Sequence, residues 1–277
     1  MNWVLPTLGA ASSMLSMLLL AVKWKLPKLP ALVGSIAATL AAAFPLFRIY
    51  PLCQTNGGLA VVVLGQIALT LTLALSVMLL RFWRDPERVP PDEAGVVLSA
   101  ADGKVLYVRD VDEGSTPLVT KGGRNYLLRE LTGVSLLTSS ARIIGVEMTF
   151  LDVHVNRCPI AGQVKLLRQI KGGFMSLGKE ESPFVNARLT TIIENASLVV
   201  AVVQVASRLV RRVESYLSTG ETVSLGQRLG IIRFGSLVAV VLPKSEVVRI
   251  EVRPGDRVKA GVSVLAHYGV QDERAEN

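Results

Sequence analysis

Charge is missing from the first part of this chain. Residues 1–80 contain no aspartate or glutamate and only four basic side chains, Lys23, Lys25, Lys28 and Arg48. A water-soluble domain of that size needs a mixed-charge surface, so this stretch does not belong to that class. Cysteine and histidine are almost absent: the chain has only Cys53, Cys158, His154 and His267. Neither cysteine has metal-site spacing, and two histidines do not make a histidine-rich metal centre, so no metal is expected. Aromatic residues amount to 5% and do not interleave with basic ones, so nucleic acid is not an expected partner.

What is present is hydrophobic. Half of the 277 residues are hydrophobic and the mean hydropathy is +0.45, which predicts a membrane part joined to a soluble part. Three uncharged apolar stretches occur, Leu5 to Val22, Pro30 to Phe47 and Leu59 to Leu80. The third is long enough to span a bilayer, and the first two are at the short end. No positive segment precedes Leu5, so a cleaved signal peptide is not expected. Lys23, Lys25 and Lys28 fill the first connection, and Arg81, Arg84 and Arg88 follow the third stretch. With three spans, the positive-inside rule puts residues 81 onward in the cytoplasm; a single anchor at 59–80 gives the same location. Cys53 and Cys158 then lie on opposite sides of the membrane and should not pair. The division predicted is a membrane anchor over 1–80 and a soluble domain over 81–277. All 22 acidic residues and 26 of the 30 basic ones fall beyond residue 80, a net +4 that suits lipid headgroups.

The soluble part reads as mainly β. Arg81-Phe82-Trp83-Arg84-Asp85-Pro86-Glu87-Arg88 has the look of a membrane edge, with an interfacial tryptophan and snorkelling arginines. Gly95 to Val108 reads as strand, turn and strand, with Asp102 in the turn. Residues 110–140 suggest a loop or hairpin. Ile143 to Asn156 reads as a strand in which Asp152, His154 and Asn156 share a polar face away from Leu151, Val153 and Val155. Lys171 to Pro183 is a Gly/Ser/Lys-rich loop, Leu198 to Val205 a strand, and Arg208 to Leu217 has helical spacing with a cationic face. A short repeat follows: Gly220-Glu221-Thr222-Val223-Ser224-Leu225-Gly226 parallels Gly255-Asp256-Arg257-Val258-Lys259-Ala260-Gly261. Such turns recur in lipoyl-like barrel sandwiches.

Two apolar runs, Leu229 to Ile232 and Leu237 to Leu242, meet near Gly235-Ser236. A plain reading is two buried strands joined at a glycine kink. The pair also permits a reaction. Attack of the Ser236 hydroxyl on the Gly235 carbonyl moves the acyl group from nitrogen to oxygen. Elimination and hydrolysis then leave a pyruvoyl group on a new chain end.

Five stretches in order resemble the phosphatidylserine decarboxylase family of short pyruvoyl-dependent proenzymes. They are Phe82-Trp83-Arg84-Asp85-Pro86-Glu87-Arg88, Ala101-Asp102-Gly103-Lys104-Val105, Asp152-Val153-His154-Val155-Asn156-Arg157, Val203-Gln204-Val205-Ala206 with Arg211-Arg212, and Gly230-Ile231-Ile232-Arg233-Phe234-Gly235-Ser236. The likeness runs over roughly 81–266. It implies cleavage between Gly235 and Ser236, a pyruvoyl cofactor from Ser236, and associated chains 1–235 and 236–277. Asp102 and His154 match the family's aspartate and histidine. It further implies conversion of phosphatidylserine to phosphatidylethanolamine at the cell membrane, on the cytoplasmic side. The partners implied are a phospholipid, the membrane and the protein's own cleaved chains; self-association is left open.

The chain departs from the family pattern in places. Ala196 in Glu194-Asn195-Ala196 stands where an arginine is usual, Ser207 where a glycine is, and Arg157 where some relatives have a second histidine. Two competing expectations stand beside the first. One is a non-catalytic β-sandwich adaptor on a membrane anchor. The other is the same chemistry on another substrate, such as archaetidylserine or a soluble amino acid. His267 reads as structural.

Overall fold

The computed structural model describes residues 4–23, 28–49, 56–112, 119–121, 124–126, 128–133, 140–176, 181–207, 213–232 and 236–269. Three helices come first, α1 (Val4–Lys23), α2 (Lys28–Ile49) and α3 (Asn56–Phe82). Some of their hydroxyls bond back one turn, as Thr70 does to the Gln66 carbonyl at 2.8 Å, which satisfies them within the helix. Large apolar side chains such as Leu19, Leu64 and Leu80 are exposed on them. Among the described residues one segment, Ala60–Phe82, is long and apolar enough to cross a membrane. The apolar parts of α1 and α2, Gly9–Val22 and Leu32–Phe44, are shorter.

The chain divides into two compact units. One holds Met1–Trp83 with Thr149–Leu151; the other holds Arg84–Met148 with Asp152–Asn277. The second is mostly β. In chain order it contains β1 (Val96–Leu98), β2 (Gly103–Asp112), β3 (Val119–Lys121), β4 (Arg124–Tyr126), α4 (Leu128–Thr132), β5 (Ser140–Met148) and β6 (Val155–Arg157). Then come β7 (Gly162–Ile170), α5 (Ser182–Val185), β8 (Arg188–Glu194), β9 (Val199–Val205), β10 (Val213–Ser215), β11 (Thr222–Val223) and β12 (Arg228–Ile232). The chain ends through β13 (Ser236–Pro243), β14 (Val248–Ile250), β15 (Arg257–Val258) and β16 (Val264–Tyr268).

The main sheet has the order β11-β7-β8-β9-β13-β5-β2-β15 and is curled. Its central strands are continuous apolar runs because both faces are covered. Val238, Val240 and Leu242 of β13 join one core cluster, and Leu237, Ala239 and Val241 join another, the period-two alternation of a strand buried on each side. The two copies of the sequence repeat form its two edges. β11 pairs with the start of β7 and β15 with the start of β2. Gly226 (φ 73°) and Gly261 (φ 69°) close the repeated turns in left-handed backbone, and a side chain at Gly226 would touch Gly261. Two three-stranded sheets, β1-β16-β14 and β10-β12-β6, and the two-stranded β3-β4 complete the described part of the unit.

Three sequence expectations need correction. Ile143 to Asn156 is not one strand: β5 ends at Met148 and β6 begins at Val155. Asp152, Val153, His154, Val155 and Asn156 are all buried, so there is no solvated polar face. Of the helix read over Arg208 to Leu217, residues 208–212 lie outside the described residues, while Val213–Ser215 is a strand paired with β12. Pairing to an apolar neighbour overrides a short helical spacing there. The loop read over Lys171 to Pro183 gives way to α5 at Ser182, and its residues 177–180 are outside the described set. The 110–140 region contains the β3–β4 hairpin and α4. Cys53, Arg211, Arg212 and the 271–277 tail lie outside the described residues.

Candidate active site

Ser236 is the first residue of β13 and is fully buried. Its register partner is Met148 of β5, and its Oγ donates to Met148 Sδ at 3.1 Å. Gly235, the other half of the candidate cleavage site, lies outside the described residues. The chain approaching Ser236 is held by the segment that carries His154. β12 pairs with β6, and the Ile232 N–H donates to the His154 carbonyl at 3.2 Å. The backbone four residues before Ser236 is therefore tied to the candidate histidine.

The His154 ring is buried, and its Nδ1 lies 2.8 Å from the Asp152 carbonyl oxygen. A carbonyl only accepts, so Nδ1 carries the proton and the neutral ring keeps its lone pair on Nε2. Burial pushes the His154 pKa down to about 4, against the pull of the Asp152 carbonyl and of the Asp152 and Asp102 charges. At neutral pH this is an uncharged imidazole able to accept a proton.

Asp102 is held differently from the sequence expectation of a simple turn residue. Arg88 Nη1 and Nη2 donate to its Oδ1 and Oδ2 at 2.5 and 2.8 Å, a fork-to-fork pair. The Ala260 N–H donates to Oδ1 at 2.8 Å, and Arg88 Nη1 also donates to the Ala260 carbonyl at 2.6 Å. Arg88 and Asp102 side chains are only 9% and 10% exposed, so this carboxylate is held in a largely dry setting. Arg88 is thus no snorkelling arginine. Its fold partner lies 14 residues on, where the sequence shows no signal for it.

A buried polar chain runs behind Ser236. Gln204 Nε2 donates to Asn156 Oδ1 at 2.7 Å, and Asn156 Nδ2 reaches the same Met148 sulfur at 3.8 Å. Gln204 and Asn156 are fully buried. The polar residues at 156 and 204 stand out within apolar strands and are a legible signal; Met148 is not. Cys158 is no nucleophile, since burial pushes its thiol up to about 12. Among the described residues no group of three or more His, Cys, Asp or Glu could hold a metal ion. His267 bridges Glu93 and Glu251, at 2.8 and 3.1 Å. Asn195 accepts from the Ser197 and Leu198 N–H groups, so the Glu194-Asn195-Ala196 departure falls in the β8–β9 turn.

The family model described as phosphatidylserine decarboxylase matches residues 75–266. A putative archaetidylserine decarboxylase proenzyme of Methanocaldococcus jannaschii is 37% identical over 185 residues, covering 67% of this chain and 87% of the relative. A phosphatidylserine decarboxylase proenzyme of Pelodictyon phaeoclathratiforme is 34% identical over 226 residues, 80% of this chain and 96% of that one. Another, of Symbiobacterium thermophilum, is 37% identical over 192 residues, 69% and 79% of the two chains.

Proposed function

The chain belongs to the phosphatidylserine decarboxylase family, and on that premise we propose that it is a self-processing enzyme converting phosphatidylserine to phosphatidylethanolamine. Its cofactor is a pyruvoyl group made from Ser236 by cleavage after Gly235. The observation that carries this reading is the setting of Ser236. It is a fully buried serine at the head of β13, with the strand before it bound to the backbone of a neutral histidine.

In maturation the Ser236 hydroxyl attacks the Gly235 carbonyl carbon and the peptide nitrogen leaves as an amine, giving an ester. His154 Nε2 takes the hydroxyl proton and delivers it to that nitrogen. Elimination then removes the Cα proton of residue 236, which neutral His154 takes up, and breaks the Cβ–Oγ bond, releasing the Gly235 carboxylate. The enamine left at 236, as its imine, takes up water and loses ammonia. The residues present fit the product. A hydroxymethyl becomes a methyl, and the Met148 thioether packs against a methyl without being left as a strong unsatisfied acceptor. A pyruvoyl group at this position would supply an electron-withdrawing carbonyl for the substrate amine. His154 then returns a proton to the carbon that lost carbon dioxide, and the Asp102 charge favours protonation of its ring.

Chains 1–235 and 236–277 stay together in this reading, because β13 is paired on both sides by β5 and β9 of the longer chain. Residues 1–80 form the membrane anchor, with α3 crossing the bilayer, and 81–277 form the catalytic domain. Lys23, Lys25 and Lys28 about the α1–α2 connection, and the exposed Arg81 in the last turn of α3 and Arg84 beyond it, support a cytoplasmic face. The lipoyl-like character of the repeated turns rests on their Gly-acid-x-Val pattern.

The test is a denaturing gel with intact-mass measurement of the purified chain. Two fragments meeting at 235/236, the smaller one bearing a ketone cap, are expected. An active protein running as one 29.8 kDa chain overturns the reading. A second substrate is favoured by the Methanocaldococcus relative, whose name specifies archaetidylserine. Both lipid names specify a serine headgroup, so decarboxylation of each in detergent micelles decides between them.

A further inference from the structure

We propose that the segment Asp85–Arg88 is itself part of the maturation site, with Arg88 the positioning residue for Asp102. The inference rests on the proposed function and adds a component to it.

The segment begins three residues after α3 ends and is fastened at four consecutive positions. Asp85 accepts from Arg228 Nε at 2.5 Å and from Arg157 Nη2 at 3.4 Å. The Pro86 carbonyl accepts from Arg157 Nη2 at 2.9 Å. Glu87 accepts from Arg228 Nη2 at 2.5 Å. Arg88 takes Asp102 with both arms of its guanidinium.

The partners are not scattered. Arg157 ends β6, three residues after His154. Arg228 opens β12, the strand that runs toward Ser236. Asp102 sits in the turn before β2. One four-residue strap therefore ties together the three pieces of chain that carry Asp102, His154 and Ser236.

These contacts differ in weight. Arg228 and Glu87 are solvated, and such pairs contribute little. Arg157 is only 5% exposed and gives its other arm to the Gly226 carbonyl, so it is a packed fixture. The Arg88–Asp102 pair is dry and bidentate, and its planar fork fixes both carboxylate oxygens. The orientation of Asp102 is thus set by a residue six positions beyond the last residue of α3.

The experiment follows cleavage of the full-length chain in detergent over time by gel, for Arg88→Gln, Arg88→Lys, Asp102→Asn and the double variant Arg88→Gln/Asp102→Asn. Melting temperatures are measured alongside. If Arg88 acts through Asp102, Arg88→Gln slows cleavage about tenfold or more, and the double variant is about as slow as Asp102→Asn alone. Arg88→Lys, which keeps the charge and loses the fork, falls between wild type and Arg88→Gln. Wild-type cleavage in Arg88→Gln overturns the inference, as does a double variant whose slowing is the product of the two singles. If Arg88→Gln does not fold, the Lys variant decides: slowed cleavage at an unchanged melting temperature supports the role, and an unchanged rate removes it. Normal cleavage in Asp102→Asn points elsewhere, to an error in the role proposed for Asp102.

Discussion

The hydroxyl of Ser236 donates to a sulfur. Its Oγ lies 3.1 Å from Met148 Sδ, straight across the β13–β5 pair. A thioether is a weak acceptor, so it can orient the hydroxyl without holding it strongly. Met148→Leu keeps the volume and loses the acceptor. It should cost less than about 1.5 kcal/mol in stability, while cleavage slows because Ser236 is no longer oriented. A gel time course and a melting curve check this. Unaltered cleavage would mean that the sulfur is only packing.

Ser236→Ala should arrest the protein as one chain with no decarboxylase activity. The alanine methyl has neither the nucleophile nor the leaving group. The fold should survive, since the change removes one weak hydrogen bond from a buried site and costs about 1 kcal/mol or less. Hydrazine labelling reads the carbonyl directly. Label at the C-terminal fragment of this variant would contradict the assignment.

The pH dependence of cleavage should follow a buried imidazole. With the His154 pKa near 4, the rate should hold from neutral pH down to about 5 and fall around pH 4. A midpoint near 6.5 would mean a solvated ring. Stability should follow in the same direction. The unfolded chain binds the proton near 6.5 and the folded one only near 4, so stability is lost as pH falls through that window, by as much as about 3 kcal/mol. Comparing melting temperatures of wild type and His154→Gln across pH 4–7 isolates this share.

Gln204→Ala should be costly. It opens a space in a fully buried site and leaves Asn156 Oδ1 without its donor at 2.7 Å, a loss of about 2–4 kcal/mol. The slackened Asn156 also sits on the Met148 sulfur, so cleavage should slow at temperatures where the variant is still folded. Urea unfolding together with cleavage rates gives both numbers. Wild-type stability would show that the amide pair is not the anchor we take it for.

Much of the β unit could be read from its residues. β9 and β13 are apolar runs rich in valine, whose branched side chains favour the pleated, buried strand. The repeat at 220 and 255 was visible as turns, because glycine at those positions answers a local backbone demand. The reading failed where a local pattern met distant neighbours. Asp152, His154 and Asn156 alternate with apolar residues as a half-solvated strand would, yet all three are buried. Val213–Ser215 lay within a helical spacing, yet β12 offered it a pairing edge.

The amino-acid sequence alone determined the chemistry available: a Gly-Ser pair between two apolar strands, an acid-free hydrophobic start, and one histidine and one aspartate in family-like stretches. Those are matters of covalent order and local preference. Tertiary structure alone decided that His154 is dry and neutral, that Asp102 faces Arg88, and that the two repeats form opposite edges of one sheet. Burial and ion pairing depend on which distant segments arrive at the same place. For Ala260 and Asp102 that distance is 158 residues of chain, which no local spacing encodes.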